Sequence, residues 1–395
     1  MMKFRLIRIT FEFYPWSGGS VTHLVELSRN IDKVLGGQTI IAPAYGADYS
    51  GFDQAFGVPV LRVKYNSFGW LAATGFPAIS LILLSYAYNV VGCIRRLARE
   101  GKADIIHVHG DMLGAFVKLF LRLNRIHIPV VVYRGGGIMN RWSLKPLLIT
   151  KLALWLICLI RPDHVIIVDD GTRIDRYVAA LGKRKIPFSI VYHAIDTKFY
   201  TMSPPRQGDE FVVLSTSGVN AFKRLDMAIR AFARFLDKVK DRRDMKFYIV
   251  GQGPLIEELT KLCADLGISD QVCFTGGKNL EEVLGYLHSA DVVVGTSPES
   301  NMNLSTQEAM ACGKPVVAFD CGGIRSLITS MENGVLVKTG DLDAFAESLF
   351  LLYRRQDLRE ALGRKARETI ITSRNWSARL SKELETYQII AHRPR

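Results

Sequence analysis

The chain has 395 residues, 48% of them hydrophobic, which excludes a disordered protein and leaves room for two domain cores. Its 51 Lys plus Arg outnumber 38 Asp plus Glu, and a net charge of +13 points to an anionic partner: a membrane surface, a nucleic acid or a phosphorylated substrate. The six Cys form neither a Cys-x-x-Cys pair nor a zinc spacing, which excludes a disulfide scaffold and a zinc finger and reads as reduced thiols in a cytosolic protein.

The N-terminal MMKFRLIRITFEF alternates as a strand does and has no signal-peptide apolar core. Apolar strand-like runs lie at residues 5–10, 38–42, 104–109, 129–133, 164–168 and 189–192. A second series lies at 211–215, 246–250, 271–274, 292–295 and 315–319, with helical patterns between, as at 224–240 and 254–266. Short apolar strands alternating with helices predict parallel sheets covered on both faces. Two series predict two doubly wound domains, each with a ligand crevice at the carboxyl ends of its strands. The Pro-rich, strand-free stretch 196–209 separates them, and a last helix at about 377–390 follows the second series.

From Tyr65 to Ile94 no residue is charged, a run of 30. Interruption by Gly69, Gly75, Pro77 and Gly92 favours a loop followed by a buried or membrane-skimming helix over 77–100, rather than a span.

Four segments carry candidate chemistry. In YPWSGGS, Gly18 and Gly19 follow the first strand and open a helix whose N–H groups suit an anion; the alternative is an ordinary turn. In STSGVNAFKR, a strand runs into Gly218, and Lys223 and Arg224 follow; Lys223 suits a diphosphate, or is a solvated lysine at a helix start. GQGP at 251–254 and the pair Gly276–Gly277 are strand-end turns with a possible nucleotide contact. In TSPESNMNLSTQEAMACGKP, N–H groups around Met302, Asn303, Leu304 and Ser305 suit a phosphate or sugar hydroxyls. Glu308, placed in the first helical turn, suits ribose hydroxyls or complements the helix dipole. Asp341 and Asp343 look like a metal pair but read better as a helix cap, so no metal site is expected.

Taken in order, these segments resemble the family 4 retaining glycosyltransferases of the GT-B fold. The resemblance rests on PWSGGSVTHLVELSRNI, ADIIHVHGD, HAID at 193–196, IVGQGP, EAMACGKPVVA, CGGI at 321–324, NGVLV at 333–337 and NWSARLSKELETY. It implies an α/β architecture of two Rossmann-like domains facing across a cleft. Residues 1–197 would bind the acceptor, 198–375 a nucleotide-sugar, and 376–395 would form a helix crossing back to the first domain. It implies metal-independent, cofactor-free transfer of a hexose from a UDP- or GDP-sugar, with retention, to a lipid-linked or polysaccharide acceptor.

By the same resemblance Gly19 lies near the donor phosphates, Lys223 is the phosphate lysine and Glu308 is the ribose-binding second Glu of the Glu-x7-Glu signature. Three positions depart from the pattern. The first Glu falls at Ser300, with Glu299 one position away. The Arg after Gly218 is Val219, with Arg224 as a possible replacement. The His that contacts the donor sugar falls at Arg134, which suits a phosphate or a carboxylated sugar instead. His109 is a substitute for that His, or a structural strand-end residue. These departures leave open a degenerate member that binds nucleotide-sugar without transfer. A nucleic-acid-binding protein is disfavoured, because no binding motif accompanies the charge.

The charge divides unevenly. Residues 1–197 hold 24 Lys plus Arg against 13 Asp plus Glu, and residues 198–395 hold 27 against 25. The excess lies beside apolar segments, at Arg95, Arg96, Arg99, Lys102, Lys145 and Lys151. That pattern predicts attachment through the first domain to an anionic membrane, on the cytoplasmic face.

Overall fold

The computed structural model describes residues 4–13, 19–46, 49–66, 76–135, 144–172, 174–202, 210–300 and 302–391. They form two compact units. The first comprises Met1–Asp169, Arg173–His193 and Trp376–Arg395, and the second Asp170–Thr172 and Ala194–Asn375. The chain passes to the second unit after His193 rather than at residue 197. Within that second unit Ile195 N donates to Arg374 O (2.8 Å) and Arg367 donates to Thr197 O (3.3 Å), which holds 195–197 there.

In the first unit the chain runs β1 (Leu6–Ile9), α1 (Gly19–Asp32), β2 (Gln38–Pro43), α2 (Ser50–Phe56), β3 (Val60–Val63), α3 (Phe76–Arg99), β4 (Ile105–His109), α4 (Asp111–Leu123), β5 (Val130–Gly135), α5 (Leu144–Ile160), β6 (His164–Val168), α6 (Asp175–Lys183) and β7 (Phe188–Val191). Its seven strands are all parallel, in the order β3-β2-β1-β4-β5-β6-β7. The second unit runs β8 (Phe211–Ser215), α7 (Leu225–Leu236), β9 (Met245–Val250), α8 (Ile256–Asp265), β10 (Val272–Gly276), α9 (Leu280–Ser289), β11 (Val292–Gly295), α10 (Leu304–Ala311), β12 (Val316–Asp320), β13 (Val335–Lys338), α11 (Leu342–Arg354) and α12 (Gln356–Ser373). Its order is β10-β9-β8-β11-β12-β13, again parallel. The strand order reverses between β1 and β4 in one sheet and between β8 and β11 in the other. Adjacent crossovers there leave to opposite faces, which opens a crevice at the strand carboxyl ends.

Central strands are buried on both faces, as in Val130, Val131 and Val132, or Val165, Ile166 and Ile167. That burial is why they read as unbroken apolar runs. Residues 60–63 and 335–338, which carry no strand expectation, form edge strands; Arg62 and Lys338 sit in them because an edge tolerates charge. Asp341 Oδ1 accepts from Ala344 N (3.0 Å) and caps α11, so the Asp-x-Asp pair is a helix start.

The apolar helix α3 is long enough by composition to cross a membrane over Ile79–Arg99. Its inner face, with Tyr86, Ala87, Val90, Val91, Ile94 and Leu97, instead belongs to the first unit's core. Tyr86 Oη donates to Thr10 O (3.0 Å) and Ile41 O (3.1 Å), which fixes the helix on the sheet.

The last helix, α13 (Trp376–Ala391), packs on the first unit through buried charge. Glu383 is fully buried. It accepts from Arg8 Nη2 (3.2 Å) and Tyr387 Oη (2.6 Å) and pairs with Arg379 (2.5 Å). Arg8, on the central strand β1, also reaches Gln38 (3.0 Å) and His109 Nε2 (3.0 Å). At the start of α13, Trp376 stacks on the buried His23 ring, which meets His193 edge to face at 4.6 Å.

Candidate functional site

The crevice of the second unit is built from two loops. The first leaves β8, whose five residues are all buried, and runs through Thr216, Ser217 and Gly218 to Lys223. Asn220 Oδ1 accepts from Phe222 N (3.1 Å) and Lys223 N (3.3 Å), an Asx turn that brings Lys223 back toward the sheet. The loop lies directly on the turn after β9. A Cβ at Gly251 would sit 2.1 Å from Ser217 O, and one at Gly253 2.1 Å from Val219 O, so the two glycines of GQGP permit this approach. They are scaffold. Gly276 ends β10, and its carbonyl accepts from Gly251 N (3.0 Å). Gly218 is exposed at the loop tip.

The second loop leaves β11 and enters α10. Thr296 Oγ1 donates to Lys223 O (3.1 Å), and Ser305 Oγ donates to Thr216 O, so the two loops are laced together. Thr216, Ser217, Lys223, Thr296, Asn303, Ser305 and Thr306 line the crevice between them. Asn303 is the N-cap of α10, its Oδ1 accepting from Thr306 N (3.0 Å). The N–H groups of Leu304 and Ser305 then have no hydrogen-bond partner among the described residues and are the open donors of the helix start. Met302 does not share this role: it is buried, and its N–H donates to Ser300 Oγ (3.2 Å).

Burial lowers the Lys223 ammonium pKa, against the opposing pull of Asp170. Its Nζ lies 5.8 Å from the centroid of the Phe222 ring, and it forms no ion pair among the described residues. Arg224 adopts the left-handed conformation (φ 49°) and grips Asp226 with both guanidinium arms (2.8 and 2.9 Å). Its charge is therefore turned to α7 and matched there. Val219 is fully buried, with its N–H on Gln252 O (3.0 Å).

Glu308 lies in the second turn of α10, not the first, because the helix starts at Leu304 behind Asn303. It is thus no capping carboxylate. Its Oε1 accepts from Tyr200 Oη (2.9 Å), and burial raises its pKa while that hydrogen bond opposes the rise. Glu299 Oε1 is buried and has no hydrogen-bond partner among the described residues. Ser300 Oγ donates to Asp170 O (2.5 Å), which fastens the 170–172 segment to this loop.

Of the first unit's candidates, Gly18 lies outside the described residues and Gly19 opens α1. Arg134, near the end of β5, pairs with the buried Asp111 and stacks over Tyr177, 4.4 Å from ring centroid to Cζ. Tyr177 Oη donates to the other Asp111 oxygen (3.0 Å). The Arg134 charge is thereby matched inside the unit. His109 lies on Arg8 and stacks on His107 (5.0 Å, 13°); burial holds both imidazoles well below the usual His range. These are contacts that a structural strand-end residue makes. Tyr200 and Asp170 were not legible from sequence, since neither lies in a motif nor near its partner in the chain.

Two parallel doubly wound units, one with a lysine, a helix start and a carboxylate at its order reversal, define the GT-B class of α/β proteins. Comparison with known proteins agrees. The family described as Glycosyl transferases group 1 matches residues 197–369, and Glycosyltransferase Family 4 matches 17–199. A glycosyltransferase of Methanocaldococcus jannaschii, itself uncharacterized, is 28% identical over 404 residues, 98% of each chain. A GDP-mannose-dependent phosphatidylinositol monomannoside mannosyltransferase of Mycolicibacterium smegmatis is 29% identical over 236 residues, 55% of this chain and 60% of that one. Among solved structures, HepE of Anabaena in complex with UDP superposes with a TM-score of 0.73 at 19% identity, covering 98% of this chain and 100% of that one. TarM of S. aureus gives 0.74 at 16%, covering 97% and 99%. The chain belongs to the family 4, group 1 glycosyltransferases.

Proposed function

We propose that this protein is a retaining hexosyltransferase. It moves a sugar from a UDP- or GDP-sugar to a lipid-linked or polysaccharide acceptor, without a metal. The observation that carries the reading is the β8–β11 crevice, lined by Lys223 and the start of α10, with Glu308 one turn further along that helix. A diphosphate there meets a partly desolvated ammonium and a helix N-terminus, and Glu308 accepts from the ribose hydroxyls. In the reaction the bond from C1 to the diphosphate oxygen breaks and the acceptor oxygen bonds to C1 on the same face. The acceptor's proton passes to the departing diphosphate. Charge develops on that diphosphate, and donors already aimed at it stabilise the transition state more than the ground state. HepE complexes with UDP and UDP-glucose, and the GDP-mannose dependence of the mycobacterial relative, support a nucleotide-sugar donor of either base. Saturable binding of UDP or GDP to the purified chain tests the donor reading; a chain that binds neither contradicts it.

The second reading, binding without transfer, draws on Ser300, whose hydroxyl is committed to Asp170 O where the family carries a carboxylate. Measurable turnover abolished by Glu308→Gln excludes it.

Membrane attachment belongs to the same proposal. The helices α3, α4 and α5 leave Tyr88, Leu123, Trp155 and Leu159 exposed, at 57–69% each. Exposed Arg95, Arg96, Arg122, Arg125, Lys151 and Arg161 lie on the same helices and just past their ends. Apolar side chains among cations suit an anionic lipid surface. The chain is expected to sediment with phosphatidylglycerol vesicles and not with phosphatidylcholine vesicles, and Leu123→Glu with Trp155→Glu should abolish the difference. Equal indifference to both vesicles contradicts attachment.

A further inference from the structure

Glu308, one turn along α10 from Ser305, does not stand alone, and its partner comes from a segment with no motif. Residues 196–200 fold into a turn in which Asp196 Oδ1 accepts from Lys198 N (2.9 Å) and Phe199 N (3.2 Å), while Tyr200 N donates to Asp196 O (2.9 Å). Tyr200 is 4% exposed, so its ring is set by packing. Arg367, on α12, donates to Tyr200 O (2.6 Å), to Thr197 O (3.3 Å) and to Ala311 O. Ala311 ends α10, the helix that carries Glu308. One guanidinium thus ties the backbone of Tyr200 to the helix of Glu308, and the phenol hydroxyl meets the carboxylate at 2.9 Å.

We propose that Tyr200 is a positioning residue for nucleotide binding: its hydroxyl holds Glu308 Oε1, fixes the carboxylate plane and leaves Oε2 to accept from the ribose. This deepens the donor reading above and rests on it. An ionised carboxylate has acceptor sites for both the phenol and a sugar hydroxyl, whereas a protonated one loses acceptor capacity. Burial favours the protonated form, and the Tyr200 hydrogen bond opposes it. The other titratable groups nearby do not replace that bond. Cys312, at the end of α10, is held neutral by burial, its thiol pushed up to about 12. Lys314 Nζ donates to His288 O (3.0 Å), and Arg367 is occupied by backbone carbonyls. Among the described residues no cationic nitrogen lies within ion-pair distance of Glu308.

Nucleotide binds the ionised carboxylate, so affinity is full above the Glu308 pKa and falls as pH drops below it. Removing the phenol hydroxyl raises that pKa and moves the acid limb to higher pH. The test is calorimetric titration of wild type and Tyr200→Phe with UDP and GDP from about pH 5 to about pH 9, repeated with the dideoxyribose analogue of the nucleotide that binds. Tyr200→Phe should shift the acid limb upward by about one pH unit and weaken binding at neutral pH about tenfold, the usual scale for a hydrogen bond to a charged group. The dideoxy analogue should bind both proteins equally, and Glu308→Gln should remove the limb in either background. An unshifted limb with wild-type binding of UDP or GDP overturns the inference alone. Equal loss of the dideoxy analogue in Tyr200→Phe also overturns it, since the role is then structural. Failure of the wild type to bind either nucleotide overturns the donor reading and the inference with it.

Discussion

Replacing Lys223 with Ala is expected to lower turnover on a nucleotide-sugar about 100- to 1000-fold, the scale seen when one preorganised donor to a developing charge is removed. The donor's binding constant should change far less. Three observations set that asymmetry. The Asx turn at Asn220 and the Thr296 hydrogen bond to its carbonyl hold the Lys223 backbone, so the ammonium needs little reorganisation. Burial strips part of its hydration, as its lowered pKa records, and a less solvated charge acts more strongly on a nearby anion. The start of α10 adds its own positive end to the same crevice. The pH profile should carry the mark of this lysine. Its charge is present below its folded-state pKa and lost as pH rises through it, so turnover should fall on the alkaline side below 10.5, the ordinary lysine value. Turnover and its alkaline limb, measured for wild type and Lys223→Ala, check both statements. A variant that turns over like wild type removes Lys223 from the mechanism.

Glu383→Gln is expected to destabilise the first unit by about 3–5 kcal/mol, the usual cost of breaking a buried pair and leaving its partner charged. Arg8 and Arg379 would both face an amide in a site with almost no solvent. The urea midpoint of the first unit's unfolding transition is the measurement, and a change under about 1 kcal/mol would contradict the structure, since that is the range of exposed pairs. The cluster also dictates an acid response. Burial pushes the Glu383 carboxyl up, but Arg379 and then Arg8 outweigh it and hold it at about 2. The stability it contributes is present above the unfolded value of 4.5 and is lost as pH falls from there toward about 2. His23, His107 and His109 act earlier. Burial keeps their folded pKa values well below 6.5, so the unfolded chain takes up their protons first, and stability begins to fall below that pH.

The central strands and the fold class could be read from the chain, because a parallel strand covered on both faces must be apolar along its whole length. The edge strands β3 and β13 could not, since Arg62 and Lys338 break the apolar run where an edge allows it. Lys223 could be nominated locally, from its place in the Gly loop that leaves β8, whereas Glu308 was nominated through the resemblance, since its local spacing suited a helix-dipole carboxylate better. The helical turn of Glu308 was misplaced because Ser305 and Thr306 also have the chemistry of caps, and only the backbone at Asn303 decides between them. Partners distant in the chain were beyond reach. Arg134 looks like a free cation beside Gly135 until Asp111, 23 residues earlier, is placed against it. Tyr200 is an unremarked aromatic in a linker until the fold brings it to a helix 108 residues later.

The central claim is transfer from a nucleotide-sugar with retention. NMR spectra taken during incubation of the purified chain with a panel of UDP- and GDP-hexoses test it most directly, with water or an added glycan as acceptor. UDP or GDP should be released from at least one α-linked donor, together with a sugar product that is α-configured before it mutarotates. A β-configured product, or no release from any donor on the panel, would contradict it.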